Sequence, residues 1–184
     1  MNYTTQNDLL LGKLLEFYKK DGNLDRMLSI INGNSRISLR IVDWFATNYA
    51  KKNYTVYNRD ETSRFKVYID YKLKLKAYSK RRFDPFCRWD RITIPYNDTS
   101  LIQTTIGQLN FFKWALENGV IDYIDNNYIS IENDMNSRNS TSRRALPTNI
   151  QNNNQKTRKK REELSISASK SIKREEVEIT VEFN

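Results

Sequence analysis

The chain has 184 residues, of which 38% are hydrophobic and 29% charged, and a net charge of +9. It has no histidine and one cysteine, Cys87, which excludes a histidine proton shuttle, a Ser-His-Asp triad, an intrachain disulfide and a multi-cysteine zinc site. One thiol among many lysines reads as intracellular, nothing at the start resembles a signal peptide, and no run nears the ~18 apolar residues of a membrane span.

Residues 5–20 read as a helix, with Leu10, Leu14, Phe17 and Tyr18 at spacings of three and four. Asp21-Gly22-Asn23 is a stop. A short second helix over 24–32 carries Leu24, Met27, Leu28 and Ile31 on one face and ends at Gly33. Ser35 or Ser38 caps a third that runs to about residue 52, with the broad apolar stripe of a core helix. The period then changes to two. Tyr54 and Val56 alternate with polar positions, 58–63 is turn-like, and Phe65, Val67 and Ile69 alternate with Lys66, Tyr68 and Asp70 as in a half-buried strand. Residues 72–76 either continue that strand or open a helix. Leu73 with Ala77 and Leu75 with Tyr78 favour a helix over 71–80.

A strand is expected over 91–96, pairing with 101–103 across Asn97-Asp98. Thr104 or Thr105 then caps an amphipathic helix bearing Leu109, Phe112 and Leu116 and closed by Asn118-Gly119. One further helix is expected over 120–135, with Ile121, Ile124, Tyr128 and Ile131 in register. The expectation is an α+β fold: a helix-dominated small domain, residues 1–136, with a short antiparallel sheet, followed by a disordered basic tail, 137–184. Between 137 and 160 only Ala145, Leu146 and Ile150 are aliphatic, too little apolar surface to offset the entropy of ordering. At the end, Val177, Ile179, Val181 and Phe183 alternate with Glu178, Thr180 and Glu182. This candidate strand, 177–183, either docks on the domain's own sheet, adds to another protein's sheet, or stays an unpaired acidic terminus.

Three stretches are distinctive: residues 38–52, SLRIVDWFATNYAKK; residues 80–88, KRRFDPFCR; and residues 104–115, TTIGQLNFFKWA. Together they resemble a family of uncharacterised proteins from nucleocytoplasmic large DNA viruses, over roughly residues 9–135 and not the tail. The resemblance implies a viral protein made in an infected eukaryotic cell, in cytoplasm or nucleus or in the virion. It favours virion components, packaging factors and transcription accessories over metabolic enzymes, and it carries no catalytic residue with it.

Charge is unevenly placed. Residues 51–91 carry 13 basic and 5 acidic side chains, a net +8, whereas 92–136 carry 1 and 6, a net −5. A polarised domain with a basic middle and an acidic end is expected, able to orient a partner. Lys72, Lys74, Lys76, Lys80, Arg81, Arg82, Arg88 and Arg91 form the densest cluster, interleaved with Tyr71, Tyr78, Phe83, Phe86 and Trp89. Such a cluster grips phosphates or an acidic protein surface. The opposing reading is a solvated charged face over core aromatics, and for the aromatics that reading is preferred. In the tail Lys156, Arg158, Lys159, Lys160 and Arg161, with Arg143-Arg144 upstream, suit a phosphate-binding arm, a bipartite nuclear signal or a plain solvated run.

Asp84 is placed to hold Arg82 or Arg88 within a loop pinned by its aromatics, and Cys87 reads as a small buried hydrophobe. Asp70-Tyr71-Lys72 at a strand end, with Asp60 or Glu61 upstream, is half of a metal-dependent nuclease pattern, one that chance supplies readily in such a chain. The expected function is therefore non-enzymatic: a sequence-independent nucleic-acid-binding accessory or packaging factor. The alternatives are a virion scaffold acting through Val177, Ile179, Val181 and Phe183 and other protein contacts and, remotely, the nuclease. No cofactor, metal or membrane partner is expected.

Overall fold

The computed structural model describes residues 5–20, 22–59, 63–87, 90–97, 100–144 and 174–176. Helix α1, Gln6–Tyr18, starts at a reciprocal cap: the Asp8 N–H donates to Thr5 Oγ1, and the Thr5 N–H donates to Asp8 Oδ2 at 2.8 Å. Helix α2, Asn23–Ile31, buries Met27, Leu28, Ile30 and Ile31. Ser38 caps α3, Leu39–Trp44, which passes through a π-helical turn, Phe45–Tyr49, into a last α-turn, α4, Ala50–Lys52. The third helix is thus present where the stripe placed it, but not as one regular helix.

Strands β1, Val56–Asn58, and β2, Arg64–Lys66, form an antiparallel hairpin in which Tyr57 faces Phe65 toward the core. The expected strand through Val67 and Ile69 ends at Lys66. Helix α5, Val67–Phe83, begins there and overtakes the period-two pattern. Val67 and Tyr71 are buried at a spacing of four, so helical burial against α6 and the π turn outweighs β-propensity in this stretch. Strands β3, Arg91–Asn97, and β4, Ser100–Thr105, pair antiparallel as expected. A short strand β5, Arg174–Glu176, adds to the other edge of β4. Among the described residues the strands form two small antiparallel sheets.

Thr105 caps α6, Ile106–Glu117, by accepting from the Gln108 N–H at 3.1 Å. This is the central helix. Leu109, Phe111, Phe112, Trp114, Ala115 and Leu116 are all buried, so its apolar surface runs nearly all round, as a helix enclosed by others requires. Each of its large side chains contributes about 1.5–3 kcal/mol by leaving water. Helix α1 joins it through the Tyr18 hydroxyl, which donates to the Leu109 carbonyl at 2.6 Å. Burial pushes that phenol's pKa well up. Polar side chains in this core find backbone partners: Asn110 Nδ2 donates to the Arg82 carbonyl and Asn118 Nδ2 to that of Trp114.

The final helix of the sequence reading is two, α7, Val120–Asn126, and α8, Tyr128–Arg144, broken at Asn127. The Asn127 side chain donates back to the Tyr123 carbonyl, a local bond that competes with a continuous ladder. The architecture is α+β and helix-dominated.

Candidate nucleic-acid interface

The acidic residues of the second half are drawn to cations of the first. Arg26 pairs with Asp122 at 2.6 Å, Arg36 with Asp125 at 2.8 Å, and Lys52 with Asp134 at 3.0 Å. Lys113 pairs with Glu117 within α6. Asp134, only 10% exposed, also accepts from Trp44 Nε1 at 3.1 Å and lies 3.7 Å from Arg138. Burial opposes its charge, but the bonds from Lys52 and Trp44 outweigh it and hold the carboxyl below its ordinary pKa. The expected acidic end is thus largely neutralised within the domain, because α7 packs against α3, and α8 against α3 and the π-helical turn.

The basic cluster is treated differently. On α5, Lys72 and Lys76 are exposed and one turn apart, Lys74 is half-buried, and Lys80 is exposed just beyond a break at Ser79 (φ 65, ψ 167). Among the described residues, no acidic side chain ion-pairs with any of these four lysines. Arg81 and Arg82 are already engaged, with Asp90 at 2.6 Å and with Gln6 Oε1 at 2.9 Å. Arg91 is exposed at the start of β3, beside that Asp90 anchor. Arg88, the arm Lys156, Arg158, Lys159, Lys160 and Arg161, and the apolar set Val177, Ile179, Val181 and Phe183 lie outside the described residues. Two apolar side chains share the outer face of α5 with Lys72 and Lys76: Ile69, 52% exposed, and Leu73, 60% exposed.

The interleaved aromatics belong to the core. Tyr71 and Phe83 are buried and, with Phe111 and Trp114, form a cluster of rings with centroids 5.6–6.4 Å apart. Tyr78 stacks on Phe83, and Phe86 is half-buried, while Trp89 lies outside the described residues. The loop between α5 and β3 is held by Asp84 itself, whose Oδ1 accepts from the Phe86 N–H at 2.9 Å. The expected Asp84–Arg82 pair is absent, since Arg82 reaches Gln6 instead. Pro85 is buried and Cys87 half-buried.

The nuclease triplet loses its geometry. Asp70 and Lys72 sit on a helix, about 200° apart around its axis, not on one face of a strand. Asp70 Oδ1 accepts from Trp114 Nε1 at 2.7 Å, a bond that ties α5 to α6. Among the described residues, no three acidic or thiol groups gather as a metal site, and no helix is long and apolar enough to cross a membrane.

A family model of unknown function, DUF7197, matches residues 1–183. The chain belongs to that family. The match runs through the tail, further than the residues that first suggested the resemblance. A protein of Acanthamoeba polyphaga mimivirus, described as uncharacterized, is 43% identical over 142 residues, covering 72% of this chain and 55% of the relative. The chain therefore spans about half the length of that relative. Viral origin is supported, and the setting is an infected host cell. No solved structure matches.

The structure also sets residues outside the sequence-read cluster beside it. Arg64 and Lys66 lie exposed on the outer face of the β1–β2 hairpin, which leads directly into α5. Lys51 stands over the Tyr68 ring of α5, 5.8 Å from its centroid. Only the regional charge of 51–91 hinted at them; their adjacency arises from the hairpin and the turn after α4.

Proposed function

We propose that this viral protein is a non-enzymatic, sequence-independent nucleic-acid-binding accessory or packaging factor, with the outer face of α5 as its phosphate-binding surface. The observation that carries the reading is the contrast in charge satisfaction. The carboxylates of 117–134 are matched by cations or hydroxyls inside the domain, while Lys72, Lys74, Lys76 and Lys80 have no acidic partner among the described residues. Lysines left this way are strongly hydrated point charges that neutralise phosphates and release counterions, without reading base edges. The work is placed in the cytoplasm or nucleus of the infected cell, or in the particle.

The test is binding of a mixed-sequence DNA and an RNA by fluorescence polarisation across a salt series. Affinity is expected to fall linearly with log salt. The double change Lys72→Glu and Lys76→Glu should lower affinity for every sequence alike and reduce the salt slope by about two, one per lost phosphate contact. Failure to bind either polymer at low ionic strength refutes the reading.

One observation favours a second reading, a scaffolding role in the virion: Ile69 and Leu73 expose apolar surface on the same helix face. That role requires many copies in purified particles and self-association that Leu73→Lys abolishes; absence from the particles refutes it.

A further inference from the structure

Three helices of this chain close on a common plan, and one of them departs from it. After α2 the residue past the cap is Gly33, at φ 78, and after α6 it is Gly119, at φ 67. Glycine suits this left-handed position because it has no Cβ to clash. Helix α4 ends the same way. Asn53 caps it, and the Thr55 N–H reaches back to the Ala50 carbonyl at 3.2 Å. The left-handed residue there is Tyr54, at φ 46. A bulky side chain in this conformation is strained. Burial does not compensate, since Tyr54 is 86% exposed, and its ring and hydroxyl have no partner among the described residues. A local rule broken with no gain in packing among the described residues motivates a functional reading of the residue.

The surroundings indicate the kind of contact. The Thr55 carbonyl accepts from the Val67 N–H at 3.3 Å, stitching the Tyr54 corner to the start of α5. Lys51 lies three residues before Tyr54 and over Tyr68, while Val56, two residues after it, pairs with Lys66. Lys72 follows Tyr68 by one helical turn. Neither Lys66 nor Lys72 has an acidic partner among the described residues. We propose that Tyr54 is a stacking platform for an unpaired base, with Lys51, Lys66 and Lys72 taking the neighbouring phosphates. The ligand class is single-stranded nucleic acid. This rests on the nucleic-acid reading above and narrows it, because a duplex keeps its base faces stacked inside, out of reach of an aromatic ring, whereas a single strand exposes them.

The experiment compares a labelled oligo-dT strand with a duplex of equal length, using the full chain and its Tyr54→Phe, Tyr54→Ala and Tyr54→Gly variants. Wild type and Tyr54→Phe should prefer the single strand. Tyr54→Ala and Tyr54→Gly should lose about tenfold or more on the single strand, the usual effect of removing a stacked aromatic, with duplex affinity and salt slope unchanged. Tyr54→Gly should also melt at a higher temperature than wild type, which separates lost contact from lost fold. Unchanged single-strand binding in Tyr54→Gly overturns the proposal. Equal losses on both polymers overturn it too, by making Tyr54 a backbone contact, as does Tyr54-dependent self-association without nucleic-acid binding. In the first two cases phosphate binding through α5 survives; only failure of the wild type on both polymers removes both.

Discussion

Replacing Gly107 by alanine tests how closely α6 is set against the end of α5. A Cβ built at Gly107 falls 2.8 Å from the Asp84 carbonyl oxygen and 3.2 Å from that of Arg81. Both neighbours are backbone, so no side chain can swing aside. The carbonyls themselves are restrained, since the Asp84 oxygen accepts from the Cys87 N–H and the adjacent Arg82 carbonyl accepts from Asn110. In an open helical position Gly→Ala gains up to about 1 kcal/mol. Here separating two packed backbones costs about 1–3 kcal/mol, so a net loss is expected. For a chain of this size a net 2 kcal/mol lowers Tm by about 4–8 °C. Gly12→Ala in α1 is the control, because nothing lies within 4 Å of its added Cβ. Thermal and urea unfolding followed by circular dichroism should show Gly12→Ala at or above wild type and Gly107→Ala clearly below it. A Gly107→Ala protein as stable as the Gly12→Ala protein would refute the close approach.

Two further outcomes concern strain and charge. Ser79 holds a backbone conformation (φ 65, ψ 167) that is essentially reserved for glycine; Ser79→Gly should therefore stabilise by about 1–3 kcal/mol, read as a raised urea midpoint, and a fall would show that the serine side chain is itself needed at the kink. Asp134 has a folded pKa below its ordinary 3.8, so its contribution is fully present above that value and is lost as pH falls through the lower folded one. Asp134→Asn should cost about 1–3 kcal/mol at neutral pH and flatten the acid limb of the stability profile below about pH 4, whereas an unchanged acid limb would rule out this carboxylate as a source of it.

Much of the fold is written locally. The Thr5 and Ser38 caps, the Gly33 and Gly119 stops, the β3–β4 hairpin and the stripe of α6 each depend on residues within a turn or two of one another, so the chain alone specifies them. The stretch from Val67 to Lys76 is different. Its alternation of apolar and basic residues satisfies a strand and a helix almost equally, and the choice falls to α6, whose buried face receives Val67 and Tyr71 only if they lie one helical turn apart. The candidate site divides in the same way. The excess of lysine over 51–91 is legible by counting, because charge is a property of composition. Which charges remain for a partner is not, since Arg26 meets Asp122 across 96 positions and Lys52 meets Asp134 across 82. Coulomb energy depends on distance in space, and only the packing of α7 and α8 against the first helices sets those distances.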